Sequence, residues 1–497
     1  MATYARAMPP VTTEGVARTR RLRERLQLGR LAVMGVVAVI AFGVGFQRGS
    51  EVTSAPQPSA VVAPVAAVAA PVAAVAGEPP AAPGLRPGGS SLPATITPIP
   101  AAALQTRLAA LSKRYSAPGV SVTILWPDGR RWTGVSGWAN LRTRVPVSGG
   151  TAFAIGSVSK TFLAALILDL AEEGRLSLDD RLRRWLPTAR VSWAVTIREM
   201  LDHTSGLSDF FSNPTIDAAL LGAKRRVWTP ARALTYMRTP YFAAGTGWHY
   251  SNSNYVLLGQ VVRRVTGRTV AAELRRRFLD PLGLSRTFMQ GVEAHRETVA
   301  TAYVQRGTGT TLRWISQSDG TTIAPFTSVT TAAGNAGAIA ASSRDLAIWA
   351  RWLYGGTLLE PASLAAMEDV SNSVSLGAPR RYGLGLMEEW LGGRRTVGHN
   401  GRLVGSRSSI RYLPDYGFTI AVVTNQDRYS PDSIGTPLMD IAIASLTPPP
   451  PAPTASPAPS PSPDPSPGSA PTPTSAPAAS VETSPSVPAS REPSSVP

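Results

Sequence analysis

Cysteine is absent from this chain of 497 residues, and lysine is almost absent. Without a thiol the protein forms no disulfide bond and uses no thiolate as a nucleophile or a metal ligand. Only three of its 49 basic residues are lysines, namely Lys113, Lys160 and Lys224. Arginine keeps its proton at every useful pH, whereas a lysine removed from water can lose it. A lysine in a special sequence context is therefore a candidate for proton chemistry.

Acidic residues are also fewer than basic ones, which gives a formal net charge of +17. Such a charge would suit a nucleic-acid partner, but the arginines are spread along the chain and no nucleic-acid recognition motif is present. We therefore predict no nucleic-acid partner and favour attraction to anionic lipid head groups or anionic wall polymers. The four histidines show no metal-ligand spacing, so we predict neither a metal site nor a cofactor.

The first 46 residues combine a basic segment with an apolar run. Residues 1–30 are polar and rich in arginine, and residues 31–46 are uninterrupted apolar residues and glycine. The run is slightly shorter than the ~17–25 residues of a spanning helix and longer than the ~7–15 residues of most signal-peptide cores. We predict an uncleaved transmembrane signal anchor, with a cleaved signal peptide as the alternative. The basic flank then predicts a cytoplasmic N-terminus and a single-pass protein of the cell membrane with an extracytoplasmic catalytic domain.

Two further segments are poor in the large apolar side chains that a core needs. Residues 47–100 are rich in alanine, proline and valine, a composition typical of an extended linker. Residues 447–497 are rich in proline, serine, alanine and threonine, and we predict that they are disordered. The remaining residues, 101–446, are enough for one large domain, which we predict to be the catalytic domain.

Strand patterns occur at both ends of this domain, and helical patterns lie between them. Residues 120–126 and 131–137 are predicted strands joined by a turn at Asp128-Gly129. Further predicted strands are 396–398, 406–413 and 418–424, and predicted helices are 101–115, 157–173, 256–265, 343–354 (capped by Ser343) and 433–445. This order predicts an α+β fold, in which an antiparallel sheet is built from both chain ends, flanked by helices and joined to an all-helical region.

The first chemical motif pairs Ser157 with Lys160. Residues three apart lie on one face of a helix, and Ser157 would lie at a helix N-terminus, where backbone N–H groups favour developing negative charge. Neither Lys113 nor Lys224 has a serine three residues before it. A serine hydroxyl needs a neighbouring base to act as a nucleophile, so the pair predicts an acyl-transfer site. A capping serine followed by an unrelated lysine is the alternative.

The second motif is Tyr250-x-Asn252. A tyrosine phenol can relay a proton when a neighbouring cation lowers its pKa. The Asn252 amide offers both a donor and an acceptor, which suits an amide substrate or contact with Lys160. The alternative is a polar turn before the predicted helix 256–265.

The third motif, His399-Asn400-Gly401-Arg402, follows one predicted strand and leads into the next. A glycine in such a place lets a substrate approach the backbone closely. We predict that His399, Asn400 and Gly401 bind substrate, and that the backbone N–H groups of Arg402 and Ser157 form an oxyanion hole. A tight turn with a surface histidine is the alternative. A further histidine, His203, is predicted to brace the loop beside the site.

The order Ser157-x-x-Lys160, Tyr250-x-Asn252 and His399-x-Gly401 resembles that of the beta-lactamase-related serine hydrolases. This family includes class C beta-lactamases, D-alanyl-D-alanine carboxypeptidases, D-aminopeptidases and related esterases. The runs 201–207 and 335–349 are also similar to the family, so the resemblance covers roughly residues 101–446. Each motif is short, but three motifs in this order are specific together.

The resemblance implies a fold and a role for individual residues. The fold is an antiparallel sheet flanked by helices plus an all-helical region, with the site between them. Ser157 resembles the nucleophile, Lys160 its activating partner, Tyr250 the general base or proton relay, and Asn252 a substrate-binding residue. Class C beta-lactamases carry lysine at the position of His399, so the third motif is more similar to the carboxypeptidase, aminopeptidase and esterase branches.

Together these features predict a membrane-anchored extracytoplasmic serine hydrolase that works through an acyl-enzyme. Its predicted substrate is a small peptide, with a cell-wall peptide ending in D-alanine as the favoured case, which would make it a D-alanyl-D-alanine carboxypeptidase-like enzyme. A carboxylesterase of the same family, acting on an ester, and a non-catalytic penicillin-binding-like protein are the alternatives. The sequence leaves open whether Lys160 or Tyr250 is the general base.

Overall fold

The computed structural model of the chain describes residues 98–446, apart from 190, 193, 295–298, 308–310 and 374–379. All of these residues belong to the first of two units into which the chain divides, Met1–Pro448 and Pro449–Pro497. The predicted basic segment, signal anchor and tail, and nearly all of the predicted linker, lie outside the described residues. Within the described part, no helix is both long and apolar enough to cross a membrane.

The largest element is an eight-stranded antiparallel sheet with the strand order β3-β2-β1-β13-β12-β11-β10-β9. The strands, in chain order, are β1 (Gly119–Leu125), β2 (Arg131–Asn140), β3 (Val145–Pro146), β4 (Phe153–Ala154), β5 (Thr287–Met289), β6 (Tyr303–Arg306), β7 (Arg313–Ser316), β8 (Ile339–Ala341), β9 (Arg380–Tyr382), β10 (Met387–Leu391), β11 (Arg394–Leu403), β12 (Ser406–Leu413) and β13 (Phe418–Thr424). The remaining strands form a three-stranded sheet, β4-β8-β5, and a two-stranded sheet, β6-β7. The neighbouring strands β1 and β13 join the two ends of the domain, as the sequence predicted.

Helices lie on both faces of the large sheet and form a separate region between β4 and β9. They are α1 (Ala101–Arg114), α2 (Ser159–Glu172), α3 (Leu182–Trp185), α4 (Ile197–Leu201), α5 (Ile216–Leu221), α6 (Pro230–Leu234), α7 (Asn252–Thr266), α8 (Val270–Leu274), α9 (Thr327–Ala333), α10 (Ser343–Tyr354), α11 (Pro361–Glu368) and α12 (Asp432–Ala444). Short 3-10 turns cover Gly156–Val158, Phe210–Ser212, Gly334–Ala336 and Pro414–Tyr416, and a π-helical turn covers Arg275–Leu279.

The alternation of side chains along β1 decides which helix packs on which face of the sheet. Successive residues of a strand point to opposite faces. Val120, Val122 and Ile124 share one buried cluster with apolar residues of α1 and α12. Ser121 and Thr123 point to the other face, where each hydroxyl lies 2.8 Å from Ser343 Oγ of α10. The terminal helices therefore cover one face, and α10 covers the face that turns toward the helical region.

Two predicted helix starts differ from the structure. The helix predicted at residue 157 is preceded by the 3-10 turn Gly156–Val158, and α2 begins at Ser159. The helix predicted at residue 256 begins at Asn252, because the extended backbone ends at Ser251. Asn252 is therefore the first residue of α7 and points from a rigid element, whereas Tyr250 lies in the preceding loop.

The predicted position of the third motif and the predicted capping residue of α10 were also wrong. The motif lies inside the continuous strand β11, because the reversal to β12 occurs later, at Gly405, whose φ of +73° suits glycine. The capping residue of α10 is Ser342, not Ser343, since the Ser342 hydroxyl accepts a hydrogen bond of 3.1 Å from the Asp345 N–H. Ser343 instead uses its hydroxyl to contact β1.

Candidate active site

Ser157 lies on the short turn between β4 and α2 and is partly exposed. The turn starts at Gly156, whose φ is +53°, a conformation that L side chains rarely adopt. A Cβ atom at Gly156 would lie 2.7 Å from the backbone N, C and O atoms of Arg402. Glycine is therefore required for the turn that carries Ser157 to lie directly against β11.

Lys160 is completely buried in the first turn of α2, three residues after Ser157. Its Nζ lies 2.8 Å from Asn252 Oδ1, 2.8 Å from the Ala336 carbonyl oxygen and 3.2 Å from Ser157 Oγ. A neutral amine has two N–H donors and one lone pair. The two carbonyl oxygens use both donors, so the third tetrahedral direction, toward Ser157, is left for the lone pair.

The surroundings of Lys160 bring its pKa into the neutral range. Burial disfavours the ammonium and lowers the pKa of Lys160 to about 7, while the charge of Asp209 acts in the opposite direction. Asp209 accepts a hydrogen bond of 2.9 Å from Asn252 Nδ2, so the Asn252 amide lies between the amine and the carboxylate. Burial also raises the pKa of Asp209, which its hydrogen bonds partly oppose.

Tyr250 lies on the open side of the Ser157–Lys160 pair, and its hydroxyl is buried. Its ring centroid is 4.8 Å from Lys160 Nζ, and a hydrogen bond links its hydroxyl to Ser157. Burial raises the pKa of Tyr250 above its ordinary value, an effect that this hydrogen bond only partly opposes. The phenol therefore keeps its proton in the resting protein. Of the two groups, Lys160 is the one that loses its proton more readily and is available as a base.

His203 supports the Tyr250 loop from behind. Its buried ring lies 4.3 Å from the Tyr250 ring, centroid to centroid, and its Nδ1 accepts a hydrogen bond of 3.1 Å from the Ser251 N–H. Burial, followed by the charge of Lys160, holds the pKa of His203 well below its usual range, so the ring stays neutral and keeps Nδ1 as an acceptor. The structure places His203 as the sequence predicted, at the loop beside the site.

The third motif supplies the opposite wall through the backbone of β11. A Cβ atom at Gly401 would lie 1.8 Å from the Ile155 carbonyl oxygen and 2.2 Å from Ser408 Oγ, so only glycine allows this approach. The Asn400 side chain is held by Arg411 Nη2, 2.6 Å from Asn400 Oδ1. The backbone of β11 is thus fixed within contact of the turn that carries Ser157.

His399 is the predicted residue that the structure places differently. Its ring is completely buried, and its Nε2 lies 3.0 Å from the Tyr382 hydroxyl while its Nδ1 lies 2.6 Å from the Asn400 carbonyl oxygen. Burial, then the charge of Lys160, lowers the pKa of His399 to about 3. The neutral ring therefore donates from Nδ1 and accepts at Nε2, and it lies behind the wall of the site.

A cavity of about 240 Å³ opens in front of Ser157. Of the predicted residues, it is lined by Ser157, Tyr250, Asn252, Asn400, Gly401 and Arg402. Lys160 and His399 lie behind its wall. These predicted residues come from three separate parts of the chain. Together they give a partly exposed hydroxyl, a buried amine and a phenol in mutual contact.

Three residues that support the site have no signal in the sequence. Asp209 contacts Asn252, Tyr382 contacts His399, and Arg411 holds Asn400 while also pairing with Glu389 at 2.5 Å. Each acts on a motif residue that lies 11 to 43 residues away in the sequence, and none stands at a spacing that marks a function. Among the described residues, no group of three or more histidine or acidic side chains is arranged to hold a metal ion.

Comparison with known families identifies this arrangement. The family model described as Beta-lactamase matches residues 104–443, which is more than half of the chain. The chain belongs to the Beta-lactamase family. The predicted resemblance to beta-lactamase-related serine hydrolases and the predicted α+β fold are therefore confirmed.

Individual members of the Beta-lactamase family are similar to this chain at moderate identity. A D-aminopeptidase of Brucella anthropi is 29% identical over 344 residues, covering 67% of this chain and 60% of that protein. Penicillin-binding protein 4* of Bacillus subtilis is 32% identical over 155 residues, 30% of this chain and 33% of that protein. The structure of a D-stereospecific amidohydrolase from Streptomyces sp. matches with a TM-score of 0.57 and 30% identity, covering 66% of this chain and 94% of that one. The chain spans about half the length of the D-aminopeptidases that it matches.

Replacement of Gly401 by alanine tests the contact between β11 and the Ser157 turn. The added Cβ meets two oxygen atoms at impossible distances, so β11 must move away from Ile155. We expect Gly401→Ala to lower the acylation rate of Ser157 at least about 100-fold, because a displacement of about 1 Å in a site has effects of that size. Acylation by an activated ester, followed by intact mass, measures it. Gly150→Ala is the matched control, since its nearest neighbour would lie at an ordinary 3.7 Å, and equal effects in both variants would contradict the assignment.

Proposed function

We propose that this chain is an extracytoplasmic serine hydrolase that cleaves small peptides through an acyl-enzyme on Ser157, in the manner of a D-alanyl-D-alanine carboxypeptidase. The observation that carries the proposal is the position of Lys160 Nζ, which has two carbonyl acceptors at 2.8 Å and Ser157 Oγ at 3.2 Å. A buried amine so placed is a base for the serine hydroxyl. Two further groups, Tyr250 and the backbone of β11, complete the machinery.

Acylation begins when Ser157 Oγ attacks the carbonyl carbon of the substrate and its proton passes to neutral Lys160. The new C–O bond leaves a negative charge on the carbonyl oxygen. The backbone N–H groups of Ser157 and Arg402 are the proposed donors to this oxyanion, and one such donor is worth about 3–4 kcal/mol in comparable sites. The close approach of Gly156 to the Arg402 backbone supports this assignment.

The leaving group departs with a proton from Tyr250. The phenol holds its proton in the resting protein and is therefore an acid for the leaving amine as the C–N bond breaks. Lys160, now an ammonium, returns a proton to Tyr250 and becomes neutral again. Water then attacks the acyl-enzyme, gives a proton to Lys160, and the Ser157 oxygen leaves with that proton as the acid product is released.

The relatives support a substrate that contains a D-residue. One is named a D-aminopeptidase and another a D-stereospecific amidohydrolase, and a penicillin-binding protein matches over part of the chain. A cell-wall peptide that ends in D-alanine combines a D-residue with the predicted extracytoplasmic location. The cavity of about 240 Å³ favours a small substrate segment over a folded chain.

The nucleophile is tested by Ser157→Ala, which should abolish both acylation and product release because it removes the partly exposed hydroxyl that lies 3.2 Å from Lys160 Nζ. Intact-mass measurement of the full chain after addition of an activated ester detects the adduct. Ser159→Ala is the matched control, since the Ser159 hydroxyl accepts from the Ile339 N–H and does not line the cavity. Retained hydrolysis in Ser157→Ala would contradict the assignment.

Product release and intact mass, measured with a peptide, an ester and a beta-lactam, separate the alternative functions. Release of D-alanine from an N-acylated D-alanyl-D-alanine supports the peptide hydrolase, and turnover of esters alone supports the carboxylesterase. A stable adduct with a beta-lactam and no turnover of any substrate supports a penicillin-binding-like protein without catalysis.

The pH dependence of acylation reports the base. With the pKa of Lys160 at about 7, the neutral form is lost as the pH falls, so the rate should decline below about pH 7 and level off above it. The charge of Asp209 raises this pKa, so Asp209→Asn should move the decline to lower pH. Asp217→Asn is the control and should leave the decline where it is. Burial raises the pKa of Asp217 to about 6, close to the measured range, but Asp209 is the carboxylate whose charge acts on Lys160. A rate that shows no plateau above pH 7 and keeps rising with pH beyond about 10, the ordinary pKa of a tyrosine, would assign the base to Tyr250 instead.

The membrane anchor is part of the proposal and rests on the composition of residues 1–46. We expect the full chain to sediment with membranes and to be accessible to an external protease in intact cells. A chain that begins at residue 47 behind a cleavable secretion signal should be found in the soluble fraction. Recovery of the full chain in the soluble fraction would contradict the anchor without affecting the assignment of Ser157.

A further inference from the structure

The cavity in front of Ser157 has an uneven distribution of charge. Its lining includes Arg380, Arg402 and Arg407, and no aspartate or glutamate among the described residues. Arg380 is neutralised by Glu389, with its Nε 2.7 Å from the carboxylate. Arg402 and Arg407 are thus the charges that a substrate meets.

Arg402 and Arg407 are direct cross-strand partners on β11 and β12. Neither forms an ion pair with a carboxylate of the described residues. Arg407 directs its Nε to the backbone oxygen of Asp427 at 2.7 Å, and the Nε of Arg402 is buried with no hydrogen-bond partner. Like charges directly opposite each other on paired strands are destabilising, and a buried donor left without a partner adds a further cost.

The charges of Arg402 and Arg407 shift the pKa values of neighbouring groups. Burial, then the charge of Arg407, lowers the pKa of Arg402 to about 10. Asp427 is the nearby acidic group, and burial raises its pKa although both arginines oppose that effect. The cluster therefore keeps an excess of positive charge at neutral pH, at the wall of the cavity that holds the nucleophile.

We propose that Arg402 and Arg407 form a subsite for an anionic group of the substrate, in practice a carboxylate. A planar guanidinium binds a carboxylate through two parallel N–H donors, and both arginines belong to the lining of the cavity. A substrate with a free ammonium at the same place meets like charge, so the cavity disfavours an aminopeptidase-type substrate. This inference rests on the proposed function, because it names which substrates the Ser157 site accepts.

The test uses the full chain and activated phenyl esters that share one acyl group. Their phenols carry a carboxylate, a carboxamide or an aminomethyl group at the same ring position. A second series has a single phenol and carries the three groups at the far end of the acyl chain. Acylation of Ser157 is followed by phenol release and intact mass, and each rate is divided by that of the ester's spontaneous hydrolysis.

We expect the carboxylate ester to acylate Ser157 about 10- to 100-fold faster than the carboxamide in at least one series, the range typical of a hydrogen bond to a charged group. Arg402→Gln should bring the carboxylate rate down to the carboxamide rate; the two rates are compared within the variant, so a general loss of activity cancels. Arg402→Lys should retain part of the preference through its charge. Arg381→Gln, an exposed residue of β9, is the control and should change neither rate.

The outcomes separate this inference from the proposed function. Equal rates for the carboxylate and carboxamide esters in both series, or an equal loss on all esters in Arg402→Gln, would overturn the anion subsite while Ser157 acylation stands. A preference for the aminomethyl ester would overturn it as well and favour an aminopeptidase. Absence of acylation by every ester contradicts the proposed function and the subsite together.

Discussion

The burial of one amine, Lys160 Nζ, sets the requirements that the rest of the site meets. An amine without access to water needs protein acceptors, since unsatisfied buried polar groups are costly. Two carbonyl oxygens provide them, one from Asn252 at the start of α7 and one from Ala336 in the 3-10 turn before β8. Both acceptors lie outside the helix that carries the lysine. Satisfying Lys160 therefore joins the all-helical region to the nucleophile turn.

Asn252 has a role in this arrangement that a carboxylate would not fill. Its oxygen accepts from Lys160 and its nitrogen donates to Asp209. An amide cannot titrate, so it keeps this polarity at every pH. The negative charge of Asp209 is held one residue away from the amine, where it moderates the effect of burial on the pKa without forming a direct ion pair that would fix the lysine in its charged form.

The sequence predicted those parts of the fold and the site that depend on local patterns. The Asp128-Gly129 hairpin, the strands at both ends of residues 101–446 and the Ser157–Lys160 spacing are of this kind. Predictions failed where a long-range contact decides the outcome. His399 was expected at the surface of the site, but the depth of β11 in the sheet buries it against Tyr382. Asp209 and Arg411 act only through partners that the fold brings near. The proposed role of the Arg402 side chain likewise depends on the pairing of β11 with β12, which places Arg407 opposite it.

The strand order of the large sheet has a consequence for biosynthesis. Val120 of β1 pairs with Thr424 of β13, and the backbone around Gly401 encloses the Ser157 turn. A ribosome delivers the nucleophile segment early and these strands last. The nascent polypeptide therefore carries Ser157 and Lys160 without a surrounding cleft until synthesis has passed residue 424. A chain released before that point contains the Ser-x-x-Lys motif but no assembled active site.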